Sequence, residues 1–221
     1  MLEFGAGSSV LKHVVERCRA FDIRPVVWTD QFSYDAVLKY FIGDTKVDHF
    51  VGPKENKLKR WYLAAQEFGA DRFHSIDADD PFFDGEQMHA SMKLARPGTI
   101  VYPSNYSDSG GATEGYSVMT ADLAGAADLP DDRDTSYIKP FVEHLTKIEM
   151  TDPVYGKRQT RLTLDYIEDY YYLRRLRSVF DHASPRADID DYINREEFFD
   201  NLYLNDIWKK RQIEEGKQNH G

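Results

Sequence analysis

With 221 residues, 41% of them hydrophobic and 30% charged, the chain can bury a sizeable core and is too apolar for a disordered segment. Its formal charge of −10 argues against a general nucleic-acid binder, which needs a basic face for phosphate backbones, but leaves room for one local basic pocket. No apolar run approaches the ~20 residues of a membrane span, so neither nucleic acid nor membrane is an expected partner. The opening MLEFGAGSSV lacks the charged and apolar regions of a signal peptide, and the single cysteine, Cys18, cannot form an internal disulfide. Both features lead to a cytoplasmic expectation.

Val10, Leu11, Val14, Val15, Cys18 and Phe21 recur at helical spacing, which predicts a first helix with Cys18 in the core. Pro25 to Thr29 is short and β-rich, a candidate buried strand. Ser33 is a plausible N-cap for a helix that uses Ala36, Val37, Tyr40 and Phe41. Val47 to Val51 reads as a second strand closed by Gly52-Pro53, and Leu58, Trp61, Ala65 and Phe68 mark a helix that Gly69 ends. Arg72 to Asp77 is a third strand, followed by a helix around Met88 and Met92 and a fourth strand at Thr99 to Tyr102. Alternation of this kind predicts an α/β fold with a mostly parallel sheet and crossover helices.

Residues 103–115, PSNYSDSGGATEG, form a polar loop rich in Gly and Ser. Beyond it the pattern predicts a strand at Tyr116 to Met119, a short helix at Ala121 to Ala127, a strand at Thr160 to Leu164 and a helix from Glu168 to Val179. A main α/β domain over 1–185 is then followed by a helical extension over 186–221, charged and aromatic, with Phe198, Phe199, Leu202, Leu204, Ile207 and Trp208.

Two acidic strand ends carry the sharpest chemistry. Asp77-Ala78-Asp79-Asp80-Pro81 follows the third strand, and ligands of parallel sheets sit outside the carboxyl ends of strands. Clustered carboxylates there repel one another unless a cation or proton relieves them, and magnesium suits such hard oxygen ligands. Asp and Pro also suit the first turn of a helix, which is a purely structural use of the same residues. Asp165, with Glu168 three residues on, repeats the pattern, and its structural alternative is a capping box. The seven histidines show no zinc-ligand spacing, and no Gly-x-Ser-x-Gly elbow or Walker-type loop occurs.

Taken in order, these segments resemble the CMP-sugar synthetase family, the Kdo and sialic-acid cytidylyltransferases, and especially the branch of spore-coat polysaccharide synthesis proteins. The likeness rests on Val10 to Cys18, on Val26-Val27-Trp28-Thr29-Asp30, on Val51-Gly52 and on Lys59 to Ala65. It continues through Asp79-Asp80-Pro81 and the Arg-x-Thr-x-Asp-x-x-Glu-Asp series of Arg161, Thr163, Asp165, Glu168 and Asp169. The resemblance implies a three-layer Rossmann-like nucleotidyltransferase fold and transfer of CMP from CTP to an acidic sugar, in a homodimer. It implies further that Asp79 and Asp165 act as catalytic residues holding Mg2+ against the α-phosphate. Thr29 and Asp30 would lie near the nucleotide, Arg60 would meet a phosphate or pair with an acid, and residues 103–115 would frame the sugar. The family's basic Pro-Ala-Arg-x-x-Ser-x-Arg loop has no match here. Gly5 to Ser9, including Gly7 and Ser8, is the segment that could cradle an anion at a helix N-terminus, without supplying a cation. Asp134 to Ile138 and Gly115 to Met119 also depart from the family's wording. The alternatives are a family member that binds or assembles without catalysis, and a glycosyltransferase on the same fold.

Overall fold

The structure is a computed structural model, which describes residues 2–5, 7–102, 115–150 and 161–195, with a few positions beyond. The loop 103–114, Thr160, Phe198, Phe199, Leu202 and Trp208 lie outside the described residues.

Residues 2–5 and 7–9 form a tight turn closed by an antiparallel bridge between Glu3 and Ser9. Gly5 and Gly7 adopt φ of 81° and 69°, a left-handed backbone that side chains disfavour. Ser9 then caps α1 (Val10–Ala20) by accepting the Lys12 N–H at 3.2 Å. The chain continues through β1 (Val26–Asp30), a helical stretch made of α2 (Gln31–Ser33), a π turn (Tyr34–Leu38) and α3 (Lys39–Thr45), and β2 (Asp48–Gly52). Asp30, not Ser33, caps this stretch. Next come α4 (Lys57–Glu67), β3 (Arg72–Ser75), α5 (Gly85–Leu94), β4 (Thr99–Tyr102) and β5 (Tyr116–Met119). A 3-10 helix (Thr120–Asp128), α6 (Lys139–Val142), β6 (Thr146–Glu149), α7 (Ile167–Val179) and α8 (Arg186–Arg195) complete the described chain.

The strands form two sheets among the described residues: β1-β2, and β3-β5-β4-β6. Their ladders are evenly divided. β1 with β2 and β4 with β6 are parallel, whereas β5 runs antiparallel to both neighbours. This corrects the expectation of a mostly parallel sheet. A parallel return from β4 to β5 needs a crossover, normally a helix with an apolar stripe, and residues 103–115 have no such stripe. The segment 161–164, expected as the end of a strand, is a loop.

One core cluster joins α4 to the larger sheet through Leu58, Trp61, Ala65, Phe73, Ile100 and Val118. A second unites the N-terminal turn with α7 and α8, through Phe4, Phe82, Leu162, Leu173, Leu176 and Ile189. Cys18 sits in a third with Val14, Phe83 and Met88, where burial pushes its thiol up to about 12 and leaves it inert. Arg17 is fully buried. Its Nε donates to the Phe83 carbonyl at 2.7 Å, and its Nη1 donates to those of Ser184 at 2.8 Å and His182 at 3.2 Å.

Candidate active site

Beyond β3 the chain turns sharply, with the Asp80 N–H bonded to the Asp77 carbonyl at 3.2 Å. The capping duty that an acidic run could serve falls to Asp84, whose Oδ1 accepts from Glu86 and Gln87 at 2.9 and 3.0 Å. Asp79 therefore lies upstream of the helix start and does not cap it. It is partly buried, and that burial, followed by the charge of Asp77, raises its pKa. Lys57 and Arg161 work in the opposite direction. Lys57 reaches the same loop from α4 and pairs with Asp77 at 2.9 Å. Sequence reasoning passed over Lys57, because one lysine opening a helix resembles any solvated lysine.

The second acidic loop is built around a buried ion pair. Arg161 Nε meets both oxygens of Asp169, at 3.2 and 3.1 Å, and both side chains are almost fully shielded from solvent. Asp169 Oδ2 also accepts the backbone N–H groups of Asp165 and Tyr166, at 3.1 and 3.0 Å. Asp169, and not Asp165 with Glu168, thus secures the start of α7. Asp165 is left a third exposed, with the Arg161 guanidinium as its partner.

The backbone joins these two loops. Leu164 N–H donates to the Asp79 carbonyl at 3.0 Å, and Asp79 shares a groove with Leu2, Val10, Ala78 and Leu164. Residues 79 and 165, far apart in sequence, therefore belong to neighbouring, directly bonded turns. Among the described residues no group of three or more His, Cys, Asp or Glu could hold a metal. Magnesium, however, commonly takes one or two carboxylates and completes its shell with water and substrate phosphates. Asp79 offers a partly buried carboxylate with a raised proton affinity, and Asp165, on the neighbouring turn, offers a second one that is paired with Arg161.

Of the remaining predicted residues, Thr29, Asp30 and Arg60 gather where β1 and β2 end. Thr29 is buried, and its hydroxyl lies 3.4 Å from the Asp30 carbonyl. Burial alone would raise the Asp30 pKa, but hydrogen bonds from the Ser33 N–H and hydroxyl, at 3.0 and 2.7 Å, pull it down. Arg60 donates to the carbonyls of Pro53 and Lys54 at 2.6 and 3.0 Å. Burial lowers its pKa, while Asp30 and Glu55 hold the charge in place. Lys57 and Arg60, one helical turn apart on α4, thus serve the ends of β3 and of β1-β2 respectively. Gly7 and Ser8 lie in the N-terminal turn, where the Ser8 N–H is bonded to the Gly5 carbonyl at 2.9 Å.

No family model matches the sequence, and no curated protein does. Solved structures do match in fold. A cytidylyltransferase from Leptospira borgpetersenii superimposes with a TM-score of 0.70 at 20% identity, over 87% of this chain and 85% of that one. A nucleotidyl transferase from Methanothermobacter gives 0.55 at 14% identity, over 77% and 81%. No helix among the described residues is long and apolar enough to cross a membrane. The chain has an α/β nucleotidyltransferase-like fold.

Proposed function

We propose that the protein is a magnesium-dependent nucleotidyltransferase that transfers CMP from CTP to an acidic sugar, in the synthesis of a cell-surface polysaccharide. The observation that supports this reading best is the bond between Leu164 and Asp79, which sets two acidic turns side by side on a nucleotidyltransferase-like scaffold. Asp79 and Asp165 would hold the magnesium, which neutralises phosphate charge when it arrives with the nucleotide. Nucleotidyl transfer relies on positioning and charge neutralisation more than on covalent chemistry. Lys57 and Arg60 supply fixed positive charge at the carboxyl ends of three strands, and Thr29 and Asp30 supply hydroxyl and carboxylate contacts there. Arg161 orients Asp165 and is itself fixed by Asp169.

Titration of CTP, UTP and GTP with and without magnesium, followed by a pyrophosphate assay with a keto-acid sugar, tests the proposal. Magnesium-dependent preference for CTP and release of pyrophosphate are expected. Equal binding of all three nucleotides, unaffected by magnesium, would overturn it. The engagement of Asp165 by Arg161 favours a second reading, a binding or assembly protein on the same fold. That reading is distinguished by magnesium-dependent CTP binding with no pyrophosphate release.

A further inference from the structure

Arg161 is one cation held by two carboxylates that differ sharply in their surroundings. Its Nε meets both oxygens of Asp169, at 3.2 and 3.1 Å, and that carboxylate is wholly buried. Its Nη2 meets Asp165, whose side chain is one third exposed, while the Arg161 side chain itself is only 4% exposed. The guanidinium carbon lies 5.5 Å from the centre of the Tyr166 ring. At Asp79, where burial and the charge of Asp77 raise the carboxyl's pKa, the charge of Arg161 is one of the influences that oppose the rise. The guanidinium therefore stands between the two acidic turns, with Asp165 as its cover toward solvent.

The two pairs differ in what opening them entails. Parting Arg161 from Asp169 strands two charges away from water. It also undoes the start of α7, because Asp169 holds the amides of Asp165 and Tyr166. Parting Arg161 from Asp165 strands nothing on the acid side, since Asp165 already reaches solvent and a partly exposed ion pair is weak. Only the shielded guanidinium then needs a new partner. A phosphate group meets that need, because the planar fork of arginine fits phosphate oxygens as well as carboxylate oxygens. Asp169 fixes the cation, and Asp165 is the partner that can be exchanged.

We propose that Asp165 is a displaceable cover on Arg161: an incoming phosphate group replaces it on Nη2, and the released carboxylate becomes available as a ligand beside Asp79. Arg161 is then a positioning residue that couples the binding of anion and cation. While the site is empty, Asp165 is engaged by Arg161 and a divalent ion alone meets one free carboxylate in place of two. Once phosphate holds the guanidinium, both carboxylates face the same ligand. The inference rests on the reading of Asp165 as a metal ligand, and its test needs neither metal nor turnover.

Inorganic pyrophosphate is titrated calorimetrically, in EDTA, into the unsubstituted chain and into Asp165→Ala, Arg161→Lys and the double variant. Lysine keeps the positive charge but presents no fork. If Asp165 competes for the guanidinium, Asp165→Ala should tighten pyrophosphate binding by about fivefold or more when Arg161 is present, and by less than about twofold beside Arg161→Lys. An equal gain in both backgrounds reflects relief of charge repulsion alone and would overturn the proposal, as would no gain or no binding. Where Arg161→Lys does not fold, NMR of the side-chain carboxyl carbons in the unsubstituted chain decides. The Asp165 signal should shift in step with pyrophosphate while that of Asp169 stays in place. A stationary Asp165 signal at saturation, or one that moves together with Asp169, overturns the exchange. Release of pyrophosphate from CTP without exchange at Asp165 removes this inference and leaves nucleotidyl transfer standing. Exchange in a protein that releases none supports the cover and removes the transfer.

Discussion

The Leu164 amide donates to the Asp79 carbonyl at 3.0 Å, so a turn after β3 and a turn before α7 are held in register across 85 positions of sequence. The bond uses main-chain atoms only and so consumes neither carboxylate, although that of Asp165 is engaged by Arg161. Substitutions at either side chain therefore test chemistry without cutting the link between the turns.

Asp79→Asn is expected to separate stability from activity. The pKa of Asp79 is raised in the folded state, so its charged form opposes folding once pH exceeds the ordinary carboxylate range. Removing that charge should raise Tm at pH 7–8, above the ordinary carboxylate range. Magnesium-dependent CTP turnover should vanish. Thermal melts paired with pyrophosphate release check both; a lower Tm would make Asp79 a structural residue.

Arg161→Ala should be far more damaging than Asp165→Asn. The first leaves Asp169 buried without its guanidinium, and breaking a buried pair from one side costs about 3–5 kcal/mol. The second removes one partly exposed partner, for which about 0–1 kcal/mol is expected. Urea unfolding of both variants gives the comparison directly.

His13 should make the fold acid-sensitive. Its ring is buried between Phe4 and Phe82, at centroid distances of 5.3 and 5.1 Å. Burial first, then the charges of Arg177, Arg17 and His182, lower its pKa to about 3 from 6.5. Between those values the unfolded chain binds the proton and the folded one does not, so stability falls as pH drops from about 6.5 toward 3. The slope from this group approaches about 1.4 kcal/mol per pH unit. His13→Leu should flatten the part of the acid-unfolding curve that belongs to it. An unchanged curve would mean that other groups set the acid limit.

Asp30→Ala should cost about 1 kcal/mol through loss of the cap on the helical stretch after β1. Ser33→Ala removes only the hydroxyl that helps hold Asp30, and should cost less. Chemical denaturation of the two variants side by side checks the order.

Where local pattern and burial agree, the sequence was legible. Val26–Asp30, Asp48–Gly52 and Arg72–Ser75 are short apolar or β-rich runs ended by turn residues, and α1, α4 and α5 show their buried positions at helical spacing. β6 was not legible, because Thr146, Lys147 and Glu149 are exposed and leave no apolar signal. Arg161 to Leu164 has strand-like alternation, yet its donors go to Asp169, Asp165 and Asp79, so local pattern lost to tertiary pairing. The two acidic turns stood out as carboxylate clusters. Their partner Lys57 did not, since only the fold brings it from α4 to the turn after β3, and Arg161, though it stood in the series that carries the resemblance, gave no sign of its buried pairing with Asp169. The reversal of β5 likewise depends on what residues 103–115 lack, an apolar helical face, and not on the strand's own residues.

Arg17 carries a consequence for synthesis. Its guanidinium is satisfied in part by the His182 and Ser184 carbonyls, which lie 165 and 167 positions downstream. While the ribosome is still making the middle of the chain, that buried cation has no access to these acceptors, and α1 cannot settle fully onto the core. At about 5–20 residues per second the wait lasts roughly ten to thirty seconds. The nascent N-terminal half must spend that interval incompletely packed, which makes it a candidate client for chaperones until its last helices emerge.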